Sequence, residues 1–386
     1  MNRAAFGLPL LWLISCSCDE TANDVGASGN AGTVGSSTGE THGGESGGHS
    51  AEQTHGGETH ADGPPTSGTS NTDGGTDAGV CPKDDTACPC GTVGCPCDEG
   101  DACDQGVCNP NTKTCVLEKD GMMLVPQGTF WMGCKEGQDT DELTGPCPVE
   151  ELPFREVTLD AFWIDKMEVT KGEYRKCMDA GVCTKPYLWD QEWIINLGGD
   201  ESEIKPGRED MPAASANWTQ AKTFCEWKGK RLPTEAEWEK AARGIDGRKY
   251  PWGNDEPTCD RANFRPWDVE GMKPGEPCSW NAEFGSLTPV GYFPKGASVY
   301  GALDMAGNIT EWVNDGFQFD VGYGNLPAEN PRGVESPDLR VHRGGSWQAP
   351  NLGAGGYTLR TSSRYTGGVA DDETLNRGPR CATTEH

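Results

Sequence analysis

Residues 229–244 read GKRLPTEAEWEKAARG, and this stretch organises everything around it. Gly229 ends one segment, and Thr234-Glu235-Ala236-Glu237 opens the next as a capping box, in which hydroxyl and carboxylate satisfy free amides reciprocally. The spacing predicts a helix bearing Trp238 and Ala241 that stops at Gly244. Upstream, Trp218, Ala221, Phe224, Cys225 and Trp227 recur on one face, so a helix is expected from Asn217 to Lys228. Thr170 caps a third, shorter helix through Cys177 and Met178, ended at Gly181. Met123–Val125 and Thr129–Met132, separated by a turn at Gln127-Gly128, read as a hairpin. Val157–Leu159 and Phe162–Ile164 read as further strands. Beyond Gly244, Gly, Pro, Asn and Trp dominate, which implies an α+β domain of low regular content built on long loops.

The stretch continues as an ordered ladder: YPWGN at 250–254, YGALDMAGNITEW at 300–312, HRGGSW at 342–347 and GPRCA at 378–382. This ladder resembles the formylglycine-generating enzyme family, the sulfatase-modifying-factor domain. The resemblance implies a C-type-lectin-like fold for residues 119–386. It also implies a disulfide between Cys225 and Cys381. A second family disulfide would have both ends replaced, by Ala242 and Thr361. The remaining domain cysteines are expected in local pairs on proximity alone: Cys134 with Cys147, Cys177 with Cys183, and Cys259 with Cys278.

Oxidase members of the family carry two copper-binding cysteines just after the GGS turn. Here Gly344-Gly345-Ser346-Trp347 is followed by Gln348 to Tyr357 without a cysteine. Serine cannot replace a thiolate copper ligand, so copper is not expected and no catalytic residue is assigned. Related branches use non-haem iron and need a histidine set, whereas the domain holds only His342 and His386. What remains is a binding domain, with a divergent oxidoreductase acting on protein or small-molecule thiols as the alternative.

Calcium is the expected cofactor. Asp304 to Glu311 packs two carboxylates and a glycine into one loop, and hard cations take such oxygen ligands. The resemblance assigns ligation to Asp304, the carbonyls of Gly307 and Ile309, and Glu311. A second family site maps onto Asn263 and the carbonyl of Phe264, completed near Phe284, with Ala282 where the family has an aspartate. Trp189, Trp193, Trp252, Trp267, Trp280 and Trp347 lie in loops, where tryptophans either fill the core or stack on a peptide or glycan ligand.

The N-terminal third reads differently. Arg3 followed by an apolar run from Phe6 to Ile14 is a signal peptide over residues 1–15, too short to span a bilayer. Leu13-Ile14-Ser15-Cys16 resembles a bacterial lipobox, which makes Cys16 the lipidated residue and the anchor the membrane partner. An exported lipoprotein on the periplasmic or outer surface of a bacterial envelope is expected. Residues 16–80 are a Gly/Ser/Thr/Asp/Glu tether, disordered for want of apolar side chains and reaching about 40–50 Å. Its four histidines, two of them within the near-repeats at 41–45 and 54–58, read as solvated linker. Setting aside Cys16 and Cys18, sixteen of the 18 cysteines remain, eight of them from Cys81 to Cys115. In an exported chain these predict a small disulfide module over residues 81–118. A net charge of −28 excludes nucleic acid as a partner, since counterion release needs clustered Lys and Arg.

Overall fold

The Thr234 hydroxyl accepts from the Glu237 amide at 3.2 Å while the Thr234 amide donates to Glu237 Oε2 at 2.8 Å. In this computed structural model the box starts a helix at Glu235–Arg243 that Gly244 ends at φ 73°. The structure describes residues 107–109, 111–140, 145–189, 209–265, 278, 287–334, 339–348, 357–366, 370–371 and 374–384. All of them lie in one compact unit, Ala78–His386. The signal, lipobox, tether and first six module cysteines fall outside the described residues.

Three α-helices among the described residues precede the loop-rich half: α1 (Lys171–Asp179), α2 (Trp218–Trp227) and α3 (Glu235–Arg243). Each opens with a capping box, Thr170 with Glu173 and Asn217 with Gln220 serving the first two. In chain order the strands begin with β1 (Val107–Cys108), β2 (Cys115–Val116), β3 (Glu118–Lys119), β4 (Met122–Val125), β5 (Gly128–Met132), β6 (Arg155–Leu159) and β7 (Phe162–Asp165). They continue with β8 (Thr310–Gly316), β9 (Arg340–Arg343), β10 (Tyr365–Thr366), β11 (Arg377–Gly378) and β12 (Ala382–Thr383). One four-stranded sheet runs β12-β7-β4-β3 and another β10-β9-β8-β11, with β1-β2 and β5-β6 as separate pairs.

The expected hairpin is not formed. β4 pairs with β7, Met123 opposite Ile164, and β5 pairs with β6, Phe130 opposite Val157. The Gln127-Gly128 turn therefore carries the chain from one sheet to another. Residues near the expected boundary at 118 also join the domain, because β3 pairs with β4 and Asn109 Nδ2 donates to Ser298 O at 2.7 Å.

The second sheet collects the late motifs. β8 opposes β9 with Glu311 facing Arg343 and Trp312 facing His342, and β11 runs parallel to β8 with Gly378 beside Glu311. Three stretches far apart in sequence thus become neighbouring strands. The Cys225–Cys381 disulfide ties α2 to the chain between β11 and β12, closing a separation of 156 residues. Cys134–Cys147, Cys177–Cys183 and Cys259–Cys278 are bonded as well.

Helix α3 lies at the centre, and all nine of its residues are buried, five of them charged. Lys240 Nζ donates to the carbonyls of Pro126 and Gly128 at 2.6 and 2.8 Å. Arg243 Nη2 donates to Asp139 Oδ2 at 2.6 Å, and Glu239 accepts from Arg343 and from the Gly133 amide. Glu235 accepts from Arg343, Arg364 and the Tyr323 hydroxyl. Burying ions is costly unless each is paired and hydrogen-bonded; the helix's glutamates and Arg243 have ionic partners, and Lys240 is held by carbonyls alone, its pKa pushed down to about 8 by burial. The same helix contributes Trp238 and Ala241 to the apolar core with Phe130, Ile164, Met305 and Val341.

Candidate functional site

The loop from Asp304 to Glu311 enters β8 through an unusual backbone. Asp304 and Asn308 hold φ 57° and Gly307 holds φ 83°. Gly307 is required by packing, since a Cβ there would lie 2.4 Å from the Asn263 carbonyl oxygen. Left-handed non-glycine residues cost energy that the surroundings must repay, and they gather at ligand sites. The repayment here is Asn308. Its Nδ2 donates to Glu168 Oε2 at 2.6 Å, its Oδ1 accepts from the Thr288 amide at 3.1 Å, and its amide donates to Asn263 O at 2.8 Å.

The expected calcium residues converge in part. Asp304 is buried, accepts from the Gly291 amide at 2.5 Å, and is pushed up to about 6, chiefly by burial. Glu311 is fully buried, and Arg380 engages both of its oxygens, with Trp238 Nε1 donating to Oε2 at 2.6 Å. Asn263 is buried against the same loop, its Nδ2 donating to Asn308 Oδ1 at 3.2 Å. The Phe264 carbonyl accepts from the Cys278 amide at 2.7 Å. Ala282 and Phe284 lie outside the described residues.

A third carboxylate, absent from the sequence reading, completes the cluster. Glu168 follows β7 in the chain, is 2 % exposed, and accepts from Asn308 Nδ2 and from the Ile309 amide at 3.1 Å. Burial, then the nearby Asp304 and Glu311 carboxylates, push its pKa well up, against the pull of Arg380. Glu168 also lines a cavity of about 310 Å³ with Asp165, Thr170, Glu173, Lys228 and Lys230 beside Cys381. No local pattern marks Glu168, because its partners are 140 and 141 residues away.

Every candidate ligand is oxygen, the donor type calcium takes, and three buried carboxyl groups share one guanidinium. Among the described residues no three His, Cys, Asp or Glu side chains are arranged to hold a metal. The ion would rest on Asp304 and Glu311 with backbone carbonyls of the loop.

The glycine turn sits next to this loop, since the Gly307 amide donates to Gly344 O and the Trp347 amide to Asn308 O, each at 2.9 Å. Gly345 needs its φ of 71°, where a Cβ would lie 2.7 Å from Thr358 O. Ser346 is buried, and its Oγ accepts from Asn376 Nδ2 at 3.2 Å and from the Gln348 amide at 3.3 Å. Residues 349–356 and His386 lie outside the described residues. His342 is a core residue of β9, stacked on Tyr365 at 5.4 Å and edge-on to Trp312 at 5.4 Å.

Of the loop tryptophans, Trp189 and Trp347 are buried, and Trp252 stacks on Tyr250 with Arg261 over its ring. Trp193, Trp267 and Trp280 are outside the described residues. Ala242 and Thr361 are both fully buried, and the Thr361 hydroxyl donates to the carbonyls of Arg248 and Lys249.

The sulfatase-modifying factor enzyme 1-like domain matches residues 107–384. A formylglycine-generating enzyme of Thermomonospora curvata is 31% identical over 296 residues, covering 68% of this chain and 93% of that protein. A Bos taurus protein named inactive C-alpha-formylglycine-generating enzyme 2 is 31% identical over 300 residues, 68% of this chain and 87% of that one. Among solved structures, that of PvdO from Pseudomonas aeruginosa aligns with a TM-score of 0.50 at 25% identity, covering 69% of this chain and 97% of PvdO.

Proposed function

The chain belongs to the sulfatase-modifying factor enzyme 1-like family, and on that premise we propose that it is an exported lipoprotein whose family domain binds an extracytoplasmic ligand with calcium as a structural support. Copper–thiolate oxidation is not part of its activity. The observation that carries this reading is the turn at 344–347: Ser346 is in place, yet no cysteine occurs from Gln348 to Tyr357. The domain's other cysteines offer no substitute, because all eight from Cys134 to Cys381 are bonded in pairs.

Calcium is supported by three buried carboxyl groups, Asp304, Glu168 and Glu311, that share the single guanidinium of Arg380. Its role would be to neutralise them and hold the strained loop that seats the Ser346 turn. Four disulfides in the described domain agree with an extracytoplasmic location. No helix among the described residues is long and apolar enough to cross a membrane, so attachment would depend on Cys16. A relative named inactive shows that such a name occurs within the family beside the enzymes.

The second reading, an enzyme with a changed mechanism, is favoured by the 31% identity to an enzyme along 93% of its length. Metal content separates the two. Full-length protein purified with calcium alone supports the binding domain, and stoichiometric copper or iron supports the enzyme.

A further inference from the structure

Trp347 is 1 % exposed, yet its indole Nε1–H has no hydrogen-bond partner. A buried indole N–H ordinarily finds an acceptor, so an orphan one marks a place where an acceptor is meant to come. Over the face of this ring lies the Arg265 guanidinium, its Cζ 5.7 Å from the ring centroid. Arg265 Nε is also buried without an acceptor, and among the described residues no carboxylate pairs with it. Beside Trp347, Ser346 Oγ accepts two hydrogen bonds, and among the described residues nothing accepts the hydroxyl hydrogen. The turn and Arg265 thus present three donors that no acceptor among the described residues meets.

We infer that Arg265, Trp347 and Ser346 form a binding site for a carboxylate, an inference that rests on reading this turn as a binding rather than an oxidising site. Stacking on the indole engages the guanidinium's face and not its N–H edge, and that fork matches a carboxylate's two oxygens. The single positive charge suits a monoanion. A phosphate dianion would add charge near Asn308, which links the Trp347 amide to the Glu168 carboxyl. Ser346 and Trp347 then offer neutral donors to the same carboxylate or to a carbonyl next to it. The carboxylate's source is either the free end of a peptide or a uronic sugar.

The test is titration of the full-length protein, followed by calorimetry and ligand-observed NMR. The probes are acetyl-Ala-Ala with a free C-terminus, the same dipeptide amidated, and methyl glucuronide. The dipeptide acid or the glucuronide binds, and the one that binds identifies the source, while the amide does not bind. Arg265→Gln weakens the interaction about 100-fold by removing the charged fork. Trp347→Phe, which keeps a ring in the core, weakens it about tenfold by removing one donor. Equal binding of acid and amide, binding unchanged by Arg265→Gln, or no binding by either acid overturns the inference. Aldehyde formation from a cysteine peptide would instead overturn the binding reading beneath it, so the two failures are distinguishable.

Discussion

Arg380 and Glu311 form a buried two-pronged pair, Nε to Oε2 and Nη2 to Oε1, each at 2.7 Å with both side chains fully buried. Arg380 also donates to the carbonyls of Asp165 and Leu303, so one guanidinium joins the first sheet, the loop before Asp304 and the start of β8. Removing one partner of such a pair leaves a buried charge uncompensated. Arg380→Met is expected to cost about 3–5 kcal/mol of stability without added calcium, measured by denaturant unfolding. A loss under about 1 kcal/mol, the range of an exposed pair, would contradict this account of the cluster.

Calcium binding to the folded state alone stabilises it, by about 2.7 kcal/mol at a hundredfold excess over Kd. Wild type should therefore melt higher in calcium than in chelator, and Asp304→Ala and Glu311→Gln should each blunt the rise. A melting curve indifferent to both calcium and chelator would count against the site.

Asp315 offers a pH test away from that cluster. Its oxygens accept from the Glu235 and Gly333 amides, and burial, with Glu235 nearby, pushes it up to about 6. The folded protein therefore keeps this proton to a higher pH than the unfolded chain does. The resulting stability is fully present below the unfolded pKa of about 4 and is lost as pH rises through about 6, with a slope of at most about 1.4 kcal/mol per pH unit. Between pH 5 and pH 7 wild type should lose more stability than Asp315→Asn. Parallel curves for the two proteins would refute the assignment.

The anchor is tested by fractionation. Cys16→Ala should release the protein from membranes or block signal processing, since stable anchoring needs the acyl chains that this cysteine would carry. Equal membrane retention of both forms with normal processing would exclude it.

Much of the frame is legible in residues 217–244, because caps and apolar spacing act locally and Thr234, Glu237 and Gly244 state where α3 begins and ends. The motif ladder identifies the family for the same reason, through short contiguous strings. Long-range pairing is another matter. Val125 and Thr129 look like two arms of a hairpin, but they find their partners at Phe162 and Thr158, in β7 and β6. Charged residues mislead in the same way. Nothing local to the helix foretells that Glu235, Glu239 and Arg243 are buried, because their partners Arg343, Arg364 and Asp139 arrive from distant segments. Glu168 and Asn308 are missed because their roles exist only once β7 and the Asp304 loop meet. The missing cysteine pair needs no structure to see.

The central claim is that this domain has kept the family's scaffold without its copper–thiolate chemistry. The most direct measurement incubates the full-length protein with copper, oxygen and a Cys-x-Pro-x-Arg peptide and follows the peptide by mass spectrometry. The account predicts an unchanged cysteine, because Ser346 is followed by no thiol and the domain's other sulfurs are in disulfides. Loss of sulfur and gain of a carbonyl, at many turnovers per protein molecule, would contradict it.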